Sequence, residues 1–205
     1  MALKHLSTHR VSIHAMYYQI AREAAARYHQ RDAEYAALET GPTGEEELSE
    51  YSRRMEECYA EREQSAVVAI TFSGMTLEAF FYDYAAEELG DAFVKAHLDK
   101  LDLKAKLLIY PRLVCGKGPD KSKAVYASLG RLVKLRNELV HFKSKSFPVQ
   151  ELERASDFHT TLNQRLNTGV DDAVDTVMQV MTELDVLHGS GAGFALRMHW
   201  SLGKI

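Results

Sequence analysis

Hydrophobic residues along much of the chain recur in the steps of three and four that place them on one face of an α-helix. The clearest case is a predicted helix over residues 170–187, whose stripe consists of Val174, Met178, Met181, Leu184 and Leu187. A weaker helical pattern covers residues 151–166 and predicts a separate helix before it. Further helices are predicted at 91–97, at 101–113 with a kink at Pro111, and at 121–142.

The N-terminal part of the chain predicts two long helices. Residues 9–39 are rich in Ala, Glu, Arg and Gln, which favour helix, and the Gly-Pro-Thr-Gly sequence at 41–44 ends that run. Thr43 or Gly44 then caps a helix with three glutamates in its first turn, and no strong breaker follows until Gly90. Residues 45–89 therefore form one very long helix, or two that meet at a kink near Gly74.

The two halves of this second long segment differ in character. The first half is polar and could pair with the preceding helix as a projecting antiparallel hairpin. The second half is apolar on nearly every side, which predicts a central core helix. Its apolar residues are Val67, Val68, Ile70, Phe72, Met75, Leu77, Phe80, Phe81, Tyr84 and Leu89.

Composition supports an all-α globular protein. Hydrophobic residues make up 46% of the chain, and only four prolines and 12 glycines interrupt it. The two cysteines form no CxxC pair, which argues against a disulfide framework and favours a reducing cytoplasm. No signal peptide is predicted at the start, and the apolar stretch at 66–89 carries four acidic residues, so we expect a core helix and no membrane partner.

Charge is unevenly distributed along the chain. The net charge is −4, but residues 95–145 hold 13 Lys and Arg against four Asp and Glu. Such a basic segment suggests an anionic ligand, although an acidic face elsewhere in the protein could equally neutralise it.

The motif with the clearest chemistry is Leu-Arg-Asn-Glu-Leu-Val-His-Phe at 135–142. Its Arg136-Asn137-x-x-x-His141 pattern resembles the R-x4-6-H signature of HEPN domains. The sequence Ser-Gly-Met-Thr-Leu-Glu-Ala-Phe-Phe at 73–81 is similar to the central helix of that family. The resemblance implies an antiparallel helical bundle, often dimeric. We divide the chain into an N-terminal helical hairpin at 1–64, a HEPN-like bundle at 65–190 and a mobile tail at 191–205.

The resemblance also implies a function, that of a metal-independent endoribonuclease without a cofactor. The 2′-OH of RNA would attack the adjacent phosphate at a homodimer interface, with catalytic roles for Arg136, Asn137 and His141. Histidine titrates near neutral pH and suits proton transfer, while a guanidinium pairs with phosphate oxygens. A toxin or defence role, with an antitoxin or another protein as partner, would also fit the family.

Helical spacing constrains these three residues. Asn137 and His141 are four residues apart and share one helix face. Arg136 and His141 are about 140° apart around an ideal helix, so Arg136 would have to reach around or the helix would have to distort.

Supporting residues are predicted around the motif. Glu78 could pair with Arg136, or it could lie on a wetter face of its helix, and Asp83 is a similar candidate. Glu138 could pair with Lys134 one turn before it. Contacts with RNA phosphates are expected from Lys117, Lys121, Lys123, Lys134, Lys143 and Lys145.

Two other interpretations of the motif stay open. A non-catalytic HEPN-like module could bind RNA, a nucleotide or a partner protein. In a purely structural bundle, Arg136 and His141 would only stabilise a helix end, each by about 0.3–1 kcal/mol. No metal site is predicted, because His5, His9 and His14 lack acidic or Cys partners. No nucleotide site is predicted at Gly116-Lys117-Gly118 either, because this loop lacks the spacing of a nucleotide-binding loop.

Overall fold

The protein is an antiparallel bundle of α-helices, and the prediction of an all-α fold is confirmed. The structure, a computed structural model, describes residues 12–41, 48–141, 148, 151–189 and 193–195, and these contain no β-strand. The helices are α1 (His14–Leu38), α2 (Leu48–Leu89), α3 (Asp91–His97), α4 (Leu103–Cys115), α5 (Ala124–Val140) and α6 (Leu152–His188).

Helix α2 forms the centre of the bundle and packs against each of the other five helices. Its second half is apolar on all sides and can be buried only if other helices surround it. The side chains of Ile70, Leu77 and Phe81 are completely buried there. Helix α2 also contains an 18-residue window apolar enough to cross a membrane, but 56% of that window is buried inside the protein, as in the core of a helical bundle.

Helices α1 and α2 form the expected antiparallel pair, which extends along the apolar half of α2 as well as the polar half. Tyr51 near the start of α2 donates to the carbonyl of Leu38 at 2.7 Å, and Asp83 near its end lies 3.2 Å from His14 Nδ1. Helix α1 therefore follows α2 over most of its length, including the apolar half. Residues such as Tyr18 belong to the same buried cluster as the rest of the bundle.

Helix α2 continues through two positions where the sequence suggested a change. It is a single helix across Gly74, so there is no division into two helices at that residue. It also runs unbroken through residue 64, the predicted boundary between an N-terminal hairpin and the bundle. The division at residue 64 stays a prediction, and most of the tail at 191–205 lies outside the described residues.

The prediction of two separate helices at 151–166 and 170–187 is wrong, because α6 is continuous from Leu152 to His188. Gly169 lies inside it and is buried. A Cβ at this position would lie 2.3 Å from Leu135 Cδ2 of α5, so the glycine leaves the space that Leu135 occupies. This packing outweighs the cost of about 1 kcal/mol for glycine in a helix interior.

Local hydrogen bonds set the starts of α4 and α5. Asp102 caps α4 by accepting from the amide of Ala105 at 2.8 Å. Asp120 accepts from the amide of Ser122 at 2.8 Å, and this bond lowers the pKa of the Asp120 carboxyl. The resulting turn delays α5 until Ala124, three residues after the predicted start.

The contact between Leu135 and Gly169 can be tested with a pair of glycine substitutions. We expect Gly169→Ala to lower the free energy of unfolding by about 1–3 kcal/mol, because the new methyl group displaces Leu135. Gly130→Ala in α5 is the matched control, since its Cβ would meet Lys104 Nζ at an ordinary 3.7 Å. The control should leave stability unchanged or raise it by up to about 1 kcal/mol. Urea denaturation followed by circular dichroism measures both, and equal effects would contradict the packing argument.

Candidate functional site

The predicted motif lies at the C-terminal end of helix α5. The helix ends at Val140, and His141 follows as its C-cap, with its amide donating to the carbonyl of Asn137 at 3.0 Å. His141 and Asn137 are both exposed. Their side chains are therefore accessible to a ligand from solvent.

An open cavity of about 730 Å³ lies between the last turns of α5 and the first half of α6. Asn137 and His141 both line it. Its other polar or charged residues are Lys134, Glu138, Thr161 and Arg165, and its apolar residues are Leu135, Leu139, Phe158 and Leu162. The cavity thus combines an apolar wall with cationic and hydrogen-bonding groups.

Arg136 is directed towards α2 and is not among the residues that line this cavity. Its aliphatic stem lies over Gly74, where a Cβ would be 3.2 Å from Arg136 Cγ. Its Nη1 donates to Asn137 Oδ1 at 3.1 Å, whereas its Nε is buried and makes no hydrogen bond within the described part of the chain. Asn137 is therefore the residue that connects the guanidinium of Arg136 to the cavity containing His141.

The two predicted supporting carboxylates have other partners. Glu78 accepts from Lys106 Nζ of α4 at 2.7 Å, so the expected pair with Arg136 is not formed. Lys106 is buried, and an unpaired ammonium there would carry a large desolvation cost, which explains why it takes this carboxylate. Asp83 lies beside His14 and accepts from the Ser12 hydroxyl at the start of α1.

The predicted RNA-binding lysines do not converge on one place. Lys134 lines the cavity, but Lys123 precedes the opposite end of α5, about 16 Å from Lys134 along the helix axis. Lys123 Nζ also donates to both carboxylate oxygens of Glu183, at 2.8 and 2.9 Å. Lys117 and Lys121 are exposed in the loop before α5, and Lys143 and Lys145 lie outside the described residues.

Sequence reasoning missed Arg165, the cationic side chain that α6 contributes to the cavity. Its guanidinium donates to the carboxylate of Glu138 on α5, so the expected pair of Glu138 with Lys134 is wrong. A second ion pair joins the same helices further along, with Arg131 Nε 3.1 Å from Asp172 Oδ2. No local pattern indicates Arg165, because its role depends on which helix packs against α5.

Among the described residues, no group of three or more His, Cys, Asp and Glu side chains could hold a metal ion. His14 is placed beside Asp83, while His5 and His9 lie outside the described residues. Comparison of the chain with protein-family models, with curated proteins and with solved structures gave no match.

The placement of Arg136 over Gly74 can be tested by a double-mutant cycle. Gly74→Ala gains helix propensity but forces the Arg136 stem to move. We expect this substitution to be more favourable by about 0.5–1.5 kcal/mol in an Arg136→Ala background than in the wild type. Free energies of unfolding from urea titrations measure the difference. An identical effect of Gly74→Ala in both backgrounds would show that the two residues are not in contact.

Proposed function

We propose that this protein is a metal-independent endoribonuclease of HEPN type. The observation that carries the proposal is the hydrogen bond from Arg136 to Asn137, at the edge of an open cavity that His141 also lines. The basic character of the surrounding segment and its resemblance to the HEPN motif provide additional support. Together they favour RNA over a neutral small molecule as the substrate.

Each residue has a role that its position permits. His141 is exposed at the end of α5 and exchanges a proton with the 2′-OH or with the leaving 5′ oxygen. Asn137 has its Oδ1 engaged by Arg136, which directs its amide group as a donor towards a phosphate oxygen. Arg136 stabilises the developing negative charge, from a position held by its contact with α2.

Cleavage requires two proton transfers, and one chain contributes a single His141 to the cavity. A homodimer in which two such cavities face each other would supply one histidine for each transfer. The products would carry a 2′,3′-cyclic phosphate and a 5′-OH. This arrangement belongs to the proposal and follows from the HEPN resemblance.

A second candidate is a non-catalytic module that binds RNA through the same cavity. The direction of Arg136 favours this non-catalytic module. Arg136 is half-buried and packs on α2, so its guanidinium is further from a ligand in the cavity than that of an arginine lining the cavity would be. In that case the motif positions Asn137 and His141 for binding, and no bond in the RNA is broken.

Cleavage of total RNA in the presence of EDTA tests the first proposal. We expect the wild-type protein to produce fragments, and we expect His141→Ala to lower the rate by at least about 100-fold, as is usual when a general acid or base is removed. His97→Ala is the matched control, because His97 is likewise exposed and ends helix α3. Its rate should equal that of the wild type.

Equal cleavage by wild type and His141→Ala would contradict the catalytic role of His141. Binding of RNA without any cleavage by the wild type would instead support the non-catalytic module. A 2′,3′-cyclic phosphate at the new 3′ ends, detected by mass spectrometry, would establish attack by the 2′-OH.

A further inference from the structure

The ion pair between Glu138 and Arg165 joins the two helices that form the cavity. Glu138 belongs to α5 and Arg165 to α6, and both side chains line the cavity next to His141 and Asn137. Relative exposures of 40% for Glu138 and 42% for Arg165 show that water reaches both partners. The pair therefore lies where an incoming anion could meet it.

An ion pair of this exposure is weak and easily exchanged. Exposed pairs typically stabilise a protein by only about 0–1 kcal/mol, because water solvates the separated charges well. A phosphate group offers Arg165 the same two-oxygen geometry that a carboxylate offers. Glu138 also places a negative charge in the cavity, which opposes the approach of a polyanion.

Arg165 occupies a central place in the groove between α5 and α6. A second cavity, of about 220 Å³, continues the first one along these helices, and both Arg165 and Lys134 line the two cavities. Lys134 is exposed and pairs with no acidic side chain in the part of the chain that the structure describes. An RNA strand bound along the groove would contact both Lys134 and Arg165 beside His141.

We propose that Arg165 is a phosphate-binding residue for single-stranded RNA, and that Glu138 occupies its guanidinium when RNA is absent. When RNA binds, a phosphate replaces the Glu138 carboxylate as the ionic partner of Arg165. Glu138 therefore competes with RNA and lowers the affinity of the protein for it. The inference rests on the proposed function for the identity of the ligand. It requires only binding, however, and so applies equally to a catalytic and a non-catalytic protein.

Binding of an uncleavable probe tests this competition. The probe is a fluorescein-labelled single-stranded RNA of 12 nucleotides, with every 2′-OH methylated so that it cannot attack its own phosphate. Fluorescence anisotropy at low salt measures its affinity for the full chain. We expect Glu138→Gln to tighten binding about three- to tenfold and Arg165→Gln to weaken it about tenfold. Arg165→Lys should retain part of the affinity, because it keeps the charge but loses the two-pronged geometry.

Glu57→Gln is the matched control for the change in net charge. Glu57 is exposed on the first half of α2 and pairs with Arg53, so its substitution also removes one acidic partner from a surface arginine. It should change affinity by less than about twofold. The gain from Glu138→Gln should also shrink in an Arg165→Gln background, since the competition needs both residues.

Three outcomes would overturn the proposal. The first is equal tightening by Glu138→Gln and Glu57→Gln, which would make the effect one of overall charge. The second is wild-type affinity in Arg165→Gln, and the third is no binding of the probe by any variant. None of them depends on cleavage, so loss of this proposal and loss of the ribonuclease assignment are distinguishable: the former appears in anisotropy, the latter in the His141→Ala cleavage assay.

Discussion

Burial of the second half of helix α2 on every side is the constraint on which the rest of the bundle depends. A helix with apolar residues all round is stable in water only when other helices cover each of its faces. Five helices do so here, and they place α5 beside α2 and α6. Gly74 and Gly169 provide the close approaches, one for the stem of Arg136 and the other for Leu135. The geometry of the candidate site is thus a consequence of core packing.

Much of the fold could be predicted from local patterns. The bounds of α3 were predicted at 91–97, as observed, because Gly90 and the charged residues around it mark the ends clearly. The continuity of α6 could not be predicted, since glycine disfavours helix locally and only the contact with Leu135 explains why it is tolerated. The course of α1 along the apolar half of α2 was missed for a related reason. Amphipathic patterns show which face is buried, but they do not identify the helix that buries it.

The candidate site shows the same division between local and tertiary information. Spacing on a helix placed Asn137 with His141 and Arg136 away from His141, and the first two residues line the cavity whereas Arg136 does not. The partners of charged residues could not be inferred, because they depend on neighbours distant in sequence. Glu78 meets Lys106, and Glu138 meets Arg165. The buried ammonium of Lys106 needs an acidic partner, and the packing of α6 against α5 determines which cation lies beside Glu138.

The unbroken course of α2 also limits how the protein can be dissected. A recombinant fragment that starts at residue 65 would begin in the middle of this helix and would lack α1 altogether. The rings of Phe72 and Phe80, which contact Tyr17 and His14 of α1, would then face water. Newly exposed aromatic surface of this kind promotes aggregation. A minimal version of the protein suited to biochemical work therefore has to retain the first helix, however far that helix lies from the residues under study.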